Sequence, residues 1–136
     1  LVTPVAYSII PVVPAGFNSM QDSMARVVVL EDDSVVRHLV VRILEMSGHS
    51  VQAFEDASFA LKEVGWDDVD LLISDLMMPL PGDDAVRALR ARGIRVPAII
   101  MSGQLEETRL NGLDIQGTVA KPFKLSELMQ AVNAIL

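Results

Sequence analysis

From Arg26 onward the chain alternates two hydrophobic rhythms. "RVVVL" (26–30) is a short β-branched run that stops at the acidic "EDD". Val36, Leu39, Val40, Ile43 and Leu44 then recur at helical spacing, which predicts an amphipathic helix capped by Ser34 and stopped by Gly48. "SVQAF" (50–54) reads as a second strand and "ASFALKEVG" (57–65) as a second helix. "DLLIS" (70–74) is a third strand and "DAVRALRAR" (84–92) the next helix. "PAIIM" (97–101) follows as a strand, then a short helical piece at 105–111. "GTVA" (117–120) is a fifth strand and "LSELMQAVNAIL" (125–136) a closing helix.

Five strands alternating with helices predict an α/β fold, with a parallel sheet, right-handed crossovers and helices on both faces. The strands are continuously apolar rather than alternating, as expected of a sheet covered on both sides. In such sheets ligands gather at the carboxyl ends of the strands. Those ends deliver Glu31, Asp32 and Asp33 after the first strand, Asp75 after the third, Ser102 after the fourth and Lys121 after the fifth.

The residues collected there suggest a chemistry. Clustered carboxylates raise one another's pKa unless a cation offsets them. An oxygen-only set suits Mg2+ (or Mn2+). A hydroxyl and an ammonium facing that ion suit phosphoryl oxygens, and an aspartate can attack a phosphoryl donor directly. The run "MMPLPG" turns the chain away after Asp75, leaving the carboxylate open and backbone carbonyls available as ligands.

Composition narrows the alternatives. The chain has 136 residues, enough for one well-buried domain, and no cysteine, which excludes disulfides and thiolate-bound zinc. Asp and Glu outnumber Lys and Arg by 18 to 11, which argues against nucleic acid as a partner. Residues 1–21 are uncharged and interrupted by Pro4, Pro11 and Pro14, too broken for a membrane span and lacking the basic start of a signal peptide. The expected organisation is a linker or lead-in at 1–23 and one domain at 24–136.

Four motifs, "VVVLEDDS", "LLISDLMMP", "IIMSG" and "VAKPF", stand in order at successive strand ends. Together they resemble the receiver domain of two-component response regulators, over essentially residues 25–136. "IIMSG" and "AKPFKLSELMQAV" are further similar to receivers fused behind sensor histidine kinases.

The resemblance implies a flavodoxin-like, doubly wound sheet of order 2-1-3-4-5. It implies Asp75 as phosphoacceptor, with Glu31, Asp32, Asp75 and the backbone carbonyl of Met77 around the metal. Ser102 and Lys121 would contact the phosphoryl group, and the Lys121–Pro122 peptide would be cis. The implied donor is a phosphohistidine on a sensor histidine kinase or histidine phosphotransfer protein. Such a domain is a phosphoacceptor rather than a conventional enzyme; it is cytoplasmic, binds neither nucleic acid nor membrane, and is a monomer or weak dimer.

This sequence departs from the family in three places. Thr118 stands at the switch position, three residues before Lys121, where an aromatic is usual. Gly82 arrives a residue early after Asp75, and the segment from Ser102 to Lys121 is short, so the fourth helix should be shortened.

Other assignments are structural. Asp33 is expected to help cap the first helix, Met78 and Met101 to pack, His38 and His49 to be solvated, and Arg87, Arg90, Arg92 and Arg95 to form an exposed helix face and exit. Two further functions compete with the receiver reading: a phosphorylation-independent scaffold, and a phosphatase with an aspartate nucleophile. The scaffold would have lost the acceptor or the acidic pair, and the phosphatase needs an aspartate at Glu31 and a longer chain.

Overall fold

The computed structural model describes residues 24–103 and 107–136. The lead-in expected at 1–23 and the first part of the helical piece expected at 105–111 lie outside them.

Five parallel strands form one sheet: β1 (Arg26–Leu30), β2 (Ser50–Phe54), β3 (Leu71–Asp75), β4 (Ala98–Ser102) and β5 (Gly117–Ala120), in the order β2-β1-β3-β4-β5. Between and after them run α1 (Ser34–Met46), α2 (Ala57–Glu63), α3 (Gly82–Ala91), α4 (Glu107–Leu110) and α5 (Leu125–Ile135). A 3-10 turn at Trp66–Asp68, which periodicity does not announce, buries Trp66 beneath α2 and α3.

Strand alternation divides the core in two. Val27 and Val29 of β1 face one layer with Val40, Val41 and Leu44 of α1 and Leu128 and Val132 of α5. Val28 and Leu30 face the other, with Ala57 and Ala60 of α2 and Ala85, Val86 and Leu89 of α3. β3 and β4 are buried at every position, so their apolar runs reflect cover on both faces.

Several expectations are corrected. Asp33, not Ser34, is the N-cap of α1: its carboxylate accepts from the amides of Val35 (2.9 Å) and Val36 (3.3 Å). Leu39 is half exposed, and the buried face of α1 comprises Arg37, Val40, Val41, Ile43 and Leu44. α3 begins two residues early, at Gly82, placing Asp83 and Asp84 in its first turn where the helix dipole favours acids. His49 is buried rather than solvated, and its Nδ1 accepts the Ala25 amide at 3.1 Å. Arg90 is also largely covered, donating to the Asp114 and Ile94 carbonyls. Gly48 does follow α1, with φ at +93°, a conformation glycine adopts without penalty. Within the described residues α4 runs Glu107–Leu110, a single turn.

Candidate functional site

The site is assembled by strand register. β1 pairs with β3 up to Leu30 opposite Ser74, β3 with β4 up to Asp75 opposite Met101, and β4 with β5 up to Ser102 opposite Ala120. Just beyond those ends, the Glu31 amide donates to the Phe54 carbonyl (3.0 Å) and the Lys121 amide to the Ser102 carbonyl (2.8 Å). The sheet thus fixes the backbone of Glu31, Asp75, Ser102 and Lys121 along one rim.

Glu31, Asp32 and Asp75 each offer a carboxylate oxygen, and these atoms lie within 4.8 Å of one another. Glu31 is fully buried, Asp75 is 5% exposed and Asp32 is open to solvent. Lys121 bridges the two buried acids: its Nζ lies 2.5 Å from Glu31 Oε1 and 3.2 Å from Asp75 Oδ1. Burial pushes the Glu31 carboxyl up to about 7, the Asp75 charge adds to the rise, and the hydrogen bond from Lys121 opposes it. Burial alone would lower the Lys121 pKa; hydrogen bonding and charge from Glu31 and then Asp75 hold it above its ordinary value. One ammonium therefore pairs with two of the three clustered carboxylates. This oxygen-only set, short of positive charge, fits a hard divalent cation.

The remaining expected residues sit as follows. Ser102 ends β4 and is buried. Met77 turns its side chain outward while Met78 packs inward. Thr118 lies exposed on β5, opposite Ile100. The Lys121–Pro122 peptide is cis. His38 is exposed on α1.

Sequence reasoning missed four supports. The Ser74 hydroxyl donates to the Asp75 carbonyl at 3.1 Å. Gly82 packs against the same carbonyl so closely that a Cβ would collide with it. Arg37, buried on α1, donates to the Glu31 carbonyl at 2.9 Å and the Asp32 carbonyl at 3.4 Å. Asp83, beside Gly82, is held by Arg87 (2.8 Å) and Arg109 (2.6 Å). Its burial would raise the carboxyl pKa, but the Arg109 and Arg87 hydrogen bonds bring it below the usual value.

Comparison with known proteins agrees with this geometry. The profile of the response regulator receiver domain matches residues 27–133. Among curated relatives, "Response regulator MprA" of Mycobacterium leprae and of Mycobacterium avium are each 35% identical over 115 residues, spanning 82% of this chain and 50% of theirs. The chain therefore spans about half the length of the curated relatives it matches. The chemotaxis protein CheY4 of Vibrio cholerae superposes with a TM-score of 0.77 at 24% identity, covering 84% of this chain and all of that one, a likeness of fold. The signal receiver domain of the putative response regulator NarL from Mycobacterium tuberculosis superposes at 0.72 with 26% identity, over 82% of this chain and 94% of that chain. With its β2-β1-β3-β4-β5 sheet and an acidic rim at the strand ends, the chain belongs to the response regulator receiver domain family of two-component signal transduction.

Proposed function

We propose that Asp75 accepts a phosphoryl group from the phosphohistidine of a sensor histidine kinase or histidine phosphotransfer protein, and that partner interactions switch in response. One observation supports this above all: Lys121 bridges Glu31 and Asp75 on a rim that holds three carboxylates. A lysine so placed can release one carboxylate and pair with a phosphoryl oxygen arriving on the other. The backbone just after Asp75 is already fixed, since the Leu76 amide donates to the Met101 carbonyl at 2.8 Å. Much of the catalysis is this positioning.

In the transfer, a carboxylate oxygen of Asp75 attacks phosphorus. The P–N bond breaks, the imidazole departs with its electron pair, and an acyl phosphate remains on Asp75. Glu31, Asp32, Asp75 and the Met77 carbonyl would hold Mg2+ (or Mn2+), which when bound offsets negative charge on the phosphoryl oxygens. Lys121 and the Ser102 hydroxyl contact those same oxygens. Thr118, small and exposed at the switch position, cannot supply the ring that fills space behind Ser102.

The reading assigns residues 24–136 to the domain, places it in the cytoplasm, and treats it as a phosphoacceptor rather than a conventional enzyme. Among the described residues, no helix is long and apolar enough to cross a membrane. No observation favours the scaffold or phosphatase readings: the acceptor and acidic pair are all present, and Glu31 stands where the phosphatases need aspartate. Incubation with acetyl phosphate and Mg2+, followed by intact mass, separates the three. A receiver gains one stable phosphoryl mass, lost in Asp75→Asn or EDTA. A phosphatase turns the donor over, and a scaffold stays unmodified.

A further inference from the structure

Among the described residues Arg37 is the only arginine or lysine in the buried class, at 5% exposure. A buried cation is costly unless its donors are satisfied, and an apolar residue would fill the same space without that cost. The surroundings do not explain Arg37 as packing. Its neighbours on the inner face of α1, Val40, Val41 and Leu44, are all aliphatic. The charge is instead spent on backbone: Nη1 reaches the carbonyls of Glu31 (2.9 Å) and Asp32 (3.4 Å). Those residues are the acidic pair of the site. Nε, also buried, has no hydrogen-bond partner.

The location makes that contact consequential. The Glu31 amide closes the ladder to β2 at the Phe54 carbonyl, and the next fixed point is the α1 cap at Asp33. Asp32 lies between them with its side chain exposed. Arg37 starts one turn into α1, its amide bonded to the Asp33 carbonyl at 2.9 Å, and curls its guanidinium back over that short bridge. We infer that Arg37 is a positioning residue for metal binding: it locks the Glu31–Asp32 backbone so that both carboxylates face Asp75 before the cation arrives. The inference rests on the metal reading given under Proposed function. It gives Arg37 no contact with metal or phosphoryl group. Groups that orient metal ligands typically contribute about 10- to 100-fold in affinity.

The test is calorimetric titration of Mg2+ into the full chain, well below its melting temperature. The samples are wild type, Arg37→Met, Arg37→Lys and a core control, Val132→Ala, with the Tm of each taken in EDTA. Arg37→Met should weaken Mg2+ binding about tenfold or more. Arg37→Lys, which keeps one donor on a flexible stem, should recover part of the loss. Val132→Ala should lower the Tm while leaving Mg2+ affinity unchanged. In acetyl phosphate labelling, the Mg2+ concentration for half-maximal rate should rise in Arg37→Met, and the rate at saturating Mg2+ should stay near wild type.

Wild-type affinity in Arg37→Met overturns the inference and leaves the metal reading standing. So does an equal affinity loss in Val132→Ala, which would mark the effect as general loosening. Absence of Mg2+ binding in wild type overturns the metal reading and this inference together. If Arg37→Met does not fold, Arg37→Gln against Arg37→Lys makes the same comparison, and equal affinities there overturn the inference.

Discussion

Gly82 sits against the carbonyl of Asp75: a Cβ there would fall 2.9 Å from Ser74 Oγ and closer still to the Asp75 carbonyl oxygen. The Gly82 amide also donates to the Leu76 carbonyl at 3.1 Å, so the start of α3 cannot retreat without losing that bond. Gly82→Ala should therefore destabilise the fold by about 1–3 kcal/mol, as overpacking does, and slow labelling of Asp75. Gly65→Ala is the control, because nothing lies within 4 Å of its Cβ position and its φ is −79°. That change should be neutral or slightly stabilising. Denaturant melts of the two variants decide it; equal stability would remove the close packing as a constraint.

Glu31 sets a pH dependence of defined sign. Its carboxyl is raised from 4.5 to about 7 in the fold, chiefly by burial. Between those values the folded state keeps a proton that the unfolded chain has released, so stability falls as pH rises. The contribution is fully present below about pH 4.5 and gone above about pH 7, with a size on the order of 3 kcal/mol. Denaturant melts of wild type and Glu31→Gln in EDTA should show this slope disappear in the variant. Mg2+ should stabilise more at pH 8 than at pH 5.5, since cation and proton compete for the same carboxylates. An unchanged slope in Glu31→Gln would show that the carboxyl is not held protonated.

His49 works in the opposite direction. Burial lowers its pKa, with Asp70 opposing, and its Nδ1 is committed to the Ala25 amide. The neutral ring is required in the fold, while the unfolded chain takes up a proton near pH 6.5. His49 therefore contributes stability above that pH that is lost as pH falls, with a slope of at most about 1.4 kcal/mol per pH unit. His49→Asn should flatten the acid limb of the stability curve. A curve with the same acid limb as wild type would mean that the imidazole is not held neutral.

Much of this was legible in the residues themselves. β1, β2 and β5 match their expected bounds residue for residue, each stopping at the charged residue that follows it, Glu31, Glu55 and Lys121. The acidic rim was readable because strand ends in a parallel sheet share one edge. The inner face of α1 was misread by one position. The phase through Val36 and Leu39 is the more hydrophobic, whereas the buried phase includes Arg37. A helical pattern scored for hydrophobicity has no place for a guanidinium that caps backbone carbonyls. His49 was misread and Asp83 overlooked for the same reason: each is polar and buried with a partner distant in sequence, Ala25 and Arg109 respectively. Gly82 looked like a turn residue, and its close approach to Asp75 depends on how α3 docks on β3.

The identity of the acceptor can be read directly by chemical trapping. Borohydride reduces an aspartyl phosphate to homoserine, which marks the residue that carried the phosphoryl group. Wild type should be treated with acetyl phosphate and Mg2+, trapped, digested and sequenced by mass spectrometry. The expected result is homoserine at position 75 alone, absent when EDTA replaces Mg2+ and absent in Asp75→Asn. Homoserine at Asp32 or Asp33, or undiminished phosphorylation of Asp75→Asn, would contradict Asp75 as the acceptor.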